Sequence, residues 1–147
     1  MAHLKPIGGE LTFGNAVLRA QMRSLEKIEA ASFASRNRYW ERDYLDAVYK
    51  RYRLWTRLGV ASAMETQLAH LYQTKRRKGS DLIRLIIDCS SQETRPKVKS
   101  RWANALRYAD LKNVEAGQLL KFFDKHEGVA GCAQGASSSA RNSATTR

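Results

Sequence analysis

Between Pro6 and Pro96 the chain runs for 89 residues without a proline. A backbone that never loses an amide N–H over such a length is free to stay helical. Leu, Ala, Arg and Lys dominate, and alternating β-branched runs are scarce. Both features point to an all-α chain. Glycine supplies most of the punctuation: Gly8, Gly9 and Gly14 close an irregular N-terminal arm, and Gly59, Gly79 and Gly128 stand where helices should stop. The breaks predict helices near 15–33, 37–58, 61–77, 80–90, 96–110 and 114–126, with a short turn around Val129 to Cys132.

The individual segments carry helical signals. Leu18, Met22, Leu25 and Ile28 recur at helical spacing in the first. In the third, Met64, Leu68, Leu71 and Tyr72 follow Ser62 and Glu65, which have the spacing of a capping box. The fourth is apolar around most of its circumference and belongs at the centre of a bundle. A buried strand over Leu82 to Ile87 is its rival, but the Ser80-Asp81 start and the four-residue spacing of Arg84 and Asp88 favour a helix.

The expected fold is therefore a single-domain bundle of about six helices over 15–132, preceded by the arm, 1–14, and followed by a disordered tail, 133–147. That tail is Ala, Ser, Thr, Gly and Asn with no large apolar residue, and cannot offset its own ordering entropy. The expected core draws on Leu18, Leu25, Tyr44, Val48, Tyr52, Trp55, Met64, Leu68, Leu82, Leu85, Ile86, Trp102, Leu106, Leu119 and Phe123.

Charge is the feature that bears on function. Twenty-six Lys and Arg against 14 Asp and Glu leave a net +12, an excess that repels itself unless an anionic partner meets it. It is unevenly spread: residues 1–35 contribute +1, 36–78 contribute +7, 79–112 contribute +3 and 113–147 contribute +1. Projected at about 100° per residue, Trp40, Tyr44, Val48, Tyr52, Trp55 and Leu58 share an apolar arc of about 120°. Opposite lie Arg38, Arg42, Lys50, Arg53 and Arg57, interrupted by Asp46, in a stripe about 29 Å long. Such a stripe is a solvated face or a phosphate-binding one, and the shortage of acids favours the second. Tyr49 projects into its middle, to stack on a base or to cover a neighbouring helix.

Lys75, Arg76, Arg77 and Lys78 are expected to end the third helix, where one or two cations would satisfy the helix dipole and four exceed that need. Lys97 and Arg101 form a weaker patch on a face shared with Asn104 and Tyr108. The segment Ala105 to Phe123 allows a helix-turn-helix, with Asn113 at the turn. A plain helical hairpin is preferred, because Lys112 stands where an apolar residue is usual and Glu115 and Gly117 would head the recognition helix.

Ser100-Arg101-Trp102-Ala103-Asn104-Ala105-Leu106-Arg107-Tyr108-Ala109 and Gly128-Val129-Ala130-Gly131-Cys132-Ala133 lie in a stretch, Lys97 to Ala133, that resembles a segment of small uncharacterised basic proteins of plasmid-rich soil bacteria. The resemblance covers about a quarter of the chain and implies no activity. It points to a bacterial, mobile-element setting.

Other classes are disfavoured. No stretch approaches the roughly 18 to 20 apolar residues that span a bilayer, so a cytoplasmic protein is expected. Cys89 and Cys132 have no metal-ligand spacing and read as reduced, small apolar side chains. His3, His70 and His126 are dispersed, with His70 expected on or beside the core. Phosphate-loop, dinucleotide and nucleophile-elbow motifs are missing, and Glu41, Asp43 and Asp46 read as partners of nearby arginines. No enzyme, catalytic residue, metal or cofactor is expected. The expected function is binding of DNA or RNA through phosphates, as a regulator or accessory factor of a mobile element. The alternative is an adaptor or inhibitor that sets the same surface against an acidic protein, and attachment to an anionic membrane surface comes third.

Overall fold

In the computed structural model, residues 4–7, 10–35, 40–74 and 81–135 are described, the two strands by their backbone alone. The fold is all-α apart from one hairpin: β1 (Leu4–Ile7), β2 (Glu10–Phe13), α1 (Asn15–Ala34), α2 (Trp40–Arg57), α3 (Ala61–Leu71), α4 (Leu82–Ser90), α5 (Pro96–Leu111) and α6 (Leu119–Lys125), with a further helix over residues 128–135.

The arm is thus not irregular throughout. β1 and β2 pair antiparallel from Leu4 opposite Phe13 to Ile7 opposite Glu10. Gly8 and Gly9 alone separate them in sequence, and a Gly-Gly dipeptide between short runs is a hairpin signal. Pro6 is tolerated because both strands of a two-stranded sheet are edges. At the other end, the expected turn and the first three residues of the expected tail form the closing helix, with Cys132 and Ala133 buried. Residues 136–147, the rest of that tail, lie outside the described residues.

Backbone contacts divide the helices into two compact units, Met1–Gln92 and Glu93–Arg147, where one helical domain was expected. The boundary falls in the non-helical segment 91–95, just before Pro96 opens α5 at its first turn.

In the first unit α2 packs against α1, α3 and α4, and α4 also touches α1 and α3. This central position explains the apolar circumference of α4, in which Leu82, Ile83, Leu85, Ile86 and Ile87 are all buried. Asp81 caps it by accepting from the Arg84 N–H at 3.1 Å, and Arg84 Nε reaches Asp88 at 3.2 Å. The helix reading of this segment holds.

Three polar side chains, Tyr44, Ser90 and Glu29, penetrate this core. Tyr44 Oη and Ser90 Oγ lie 2.7 Å apart, and Ser90 Oγ is also 2.7 Å from the Ile86 carbonyl. Since the serine's one proton goes to the carbonyl, Tyr44 is the donor between the hydroxyls. Burial pushes the Tyr44 hydroxyl pKa well up. Glu29, 6% exposed, continues the buried stripe of Leu18, Met22 and Leu25 where Ile28 was expected to; Ile28 is half-buried. Its carboxylate accepts from the Ser91 hydroxyl and from the Gln92 N–H at 2.8 Å, fastening the chain that leaves α4 onto α1.

Three helices end in one motif. After α2, α3 and α5, a residue at positive φ follows the cap: Gly59, Gln73 and Asn113. The next amide, of Val60, Thr74 or Val114, bonds five residues back at 3.0 to 3.1 Å. This is the Schellman closure. Gly59 was an expected stop. Gln73 was not, so α3 ends at Leu71 rather than near residue 77. The capping-box reading also fails: Val60 is the N-cap without a side-chain bond, and Ser62 lies inside the helix. His70 is exposed rather than set against the core, because the buried face of α3 is the Met64–Leu68 edge.

In the second unit Tyr108 of α5 joins Phe122 and His126 in a ring cluster with centroids 4.3 to 5.7 Å apart. The closing helix approaches α5 closely: a Cβ at Gly135 would stand 2.8 Å from the Tyr108 ring. Seven residues separate α5 from α6, and α6 itself has only seven. That spacing suits the hairpin preferred from the sequence and not the three- or four-residue turn of a helix-turn-helix.

Of the expected core, every member is buried except Tyr52, which is half-buried. Cys89 and Cys132 are free thiols.

Candidate nucleic-acid interface

The amphipathic division of α2 decides which of its bases can meet a ligand. Tyr44, Leu45, Val48, Tyr49 and Trp55 are buried, and at 100° per residue they cover about 140°. The buried arc is wider than the expected one because α2 packs against three helices rather than lying on one. Tyr49, 0% exposed, is a core residue whose ring lies 6.4 Å from that of Tyr52. It cannot stack on a base, which corrects its placement in the basic stripe. Trp40 is half-buried and Leu58, at the far end of the expected apolar arc, is exposed.

The bases occupy the remaining flank. Lys50 and Arg57 are exposed, and Arg42 and Arg53 are half-buried along the edge of the packed arc. Lys50 Nζ lies 2.9 Å from Asp46 Oδ2, an (i, i+4) pair whose lysine side chain is 55% exposed. A pair so exposed is worth little and exchanges readily with another anion. Arg38 lies outside the described residues.

One base of α2 faces the other way. The Arg51 guanidinium sits 6.0 Å from the Trp55 ring centre, its Nε is buried without a hydrogen-bond partner, and burial lowers its pKa. Arginine remains charged through such a shift. Its angular position among apolar residues is legible in the sequence, but its desolvation comes from tertiary packing.

Lys75, Arg76, Arg77 and Lys78 also lie outside the described residues. α3 itself closes at Leu71, short of the end expected near residue 77.

In the second unit, Lys97 and Arg101 are exposed on α5 and share one wall of an open groove of about 650 Å³ with Pro96, Ser100 and Asn104. Glu127, Ala130, Gly131, Ala133 and Gln134 line the other side. Arg107 donates to Asn104 Oδ1 at 2.8 Å. A guanidinium has no acceptor, so this bond fixes the amide and leaves its NH₂ as the end that can serve a ligand. The spacing 97, 101, 104 already groups three of these residues on one helical face. Ser100 and the opposite wall were missed, because residues from 129 onward read as a turn and a tail.

Among the described residues no group of three His, Cys, Asp or Glu is placed to hold a metal ion, and no helix is long and apolar enough to cross a membrane. No protein-family model matches the chain, and no curated protein or solved structure is significantly similar to it.

Proposed function

We propose that this protein binds nucleic acid, DNA or RNA, through phosphate contacts from the basic flank of α2, and acts as a regulator or accessory factor of a bacterial mobile element in the cytoplasm. The observation that carries this reading is the division of α2: Arg42, Lys50, Arg53 and Arg57 keep to the flank that helix packing leaves to solvent. They extend over about 23 Å of helix, long enough to meet several phosphates. Arg38 precedes this flank in sequence, Lys75, Arg76, Arg77 and Lys78 follow α3, and Lys97 and Arg101 add a second basic surface.

The test is retardation of short DNA and RNA duplexes by nuclease-treated protein at several salt concentrations. Five contacts from Arg38, Arg42, Lys50, Arg53 and Arg57 give a slope of log affinity against log salt of about −4.5 on duplex DNA. No binding at low salt defeats the proposal. A second reading, an adaptor or inhibitor set against an acidic protein surface, is favoured by Leu58, 43% exposed beside Arg57. A protein partner would cover that side chain and a phosphate would not.

A further inference from the structure

We infer that the groove of the second unit takes a single strand of DNA or RNA, with its phosphodiester held against α5. This deepens the nucleic-acid reading and rests on it. The α5 wall presents hydrogen-bond donors: the Lys97 ammonium, the Arg101 guanidinium and the Asn104 NH₂ that Arg107 turns away from itself. Such a set recognises phosphate oxygens. Glu127 on the opposite side repels them, so the backbone lies along α5 and not across the groove.

Shape then selects the kind of nucleic acid. At about 650 Å³ the groove is of the size that receives a small organic molecule, on the scale of a nucleotide or two. A duplex is too stiff to bend its phosphates into a recess between two helices, whereas a single strand follows one. The closing helix keeps the recess open with small residues. Ala130 is exposed there, and Gly131 can be nothing larger, since a Cβ would fall 1.9 Å from the His126 carbonyl oxygen. None of the described residues that line the groove is aromatic, so binding is led by phosphate and nearly indifferent to base.

The experiment is fluorescence anisotropy with labelled 12-nucleotide oligo(dT) and oligo(U) and a 20-base-pair DNA duplex. The full chain is compared with Lys97→Gln/Arg101→Gln, which removes charge, and Ala130→Trp, which fills the groove at constant charge. All three positions are exposed, and circular dichroism checks that each variant folds. Both variants should bind the single strands at least about ten-fold more weakly, and Ala130→Trp, which keeps every base, should bind the duplex less than about three-fold more weakly. The charge variant's single-strand salt slope should become shallower by about 1.4, from roughly 0.7 per phosphate. Amide resonances of Ser100, Asn104 and Gln134 should shift on adding either oligonucleotide.

Unchanged single-strand affinity in Ala130→Trp overturns the inference, as does equal weakening toward strand and duplex in that variant. Adenosine monophosphate that competes as tightly as the 12-mer binds overturns it in favour of a mononucleotide site. Wild-type protein that binds duplex and neither 12-mer removes the groove and leaves the α2 reading standing; protein that binds nothing removes both.

Discussion

Replacing Glu29 by alanine tests whether a buried carboxylate fastens the first unit. Glu29 sits on the packed face of α1, 6% exposed, and accepts from the Ser91 hydroxyl and the Gln92 N–H. A hydrogen bond to a charged group contributes roughly 1.5 to 3 kcal/mol, so two bonds give at least about 3 kcal/mol. Two effects reduce that figure. Ser91 is only half-buried and Gln92 is exposed, so water replaces part of what is lost, and alanine is spared the desolvation of a carboxylate. The expected cost of Glu29→Ala is then about 2 kcal/mol. Glu29→Gln keeps one oxygen acceptor, and Ser91 can turn to accept from the new amide, so its cost should be about half as large. Urea unfolding of 5-fluorotryptophan-labelled protein separates the units, because the first holds Trp40 and Trp55 and the second Trp102. The midpoint at Trp40 and Trp55 should fall, and exchange of the Gln92 amide should accelerate in Glu29→Ala. A cost below about 0.5 kcal/mol, or equal losses in the two variants, would refute the reasoning.

Arg42→Ala with Arg53→Ala should weaken binding to every duplex sequence alike and make the salt slope shallower by about two, as electrophoretic retardation over a salt series will show. Trp55→Ala, which empties a fully buried site, should cost about 3 to 5 kcal/mol by denaturant unfolding. Gln73→Gly should stabilise the protein by about 0.5 to 1 kcal/mol in the same assay, because φ of 50° strains a residue with a Cβ and the glycine's extra unfolded-state entropy offsets only part of that relief. The two-pronged contact from Arg95, at 2.7 and 2.9 Å, holds the Glu93 carboxyl down at about 2. Its folded pKa lies below the unfolded value of 4.5, so the pair's contribution is complete above pH 4.5 and is lost as pH falls through 2. Carboxyl ¹³C titration should place the midpoint near 2 in the wild type and return it toward 4.5 in Arg95→Gln.

Much of the fold is legible because helices are local. The freedom from proline, the glycine at 59, the Asp81 cap and the apolar spacing of α1, α2, α4 and α5 each act within a few residues, and the structure keeps them. Positions lost in the reading depend on neighbours distant in sequence. Glu29 looks like a surface carboxylate until Ser91 and Gln92 arrive from 62 and 63 residues away. Tyr49 sits opposite the apolar arc of its own helix, and three packing partners, which no helical projection contains, widen the buried face over it. The candidate site divides in the same way. Sequence alone determined that the chain is basic, that the excess concentrates between residues 36 and 78, and that Lys97 and Arg101 share a helix face, since charge and helical phase belong to the residues themselves. Only tertiary structure decided which tyrosine is unavailable, where α3 lets go of the chain before Lys75, and that a wall drawn from 127–134 turns the face of α5 into a groove. A recess has two sides, and its second side comes from a helix that the first does not encode.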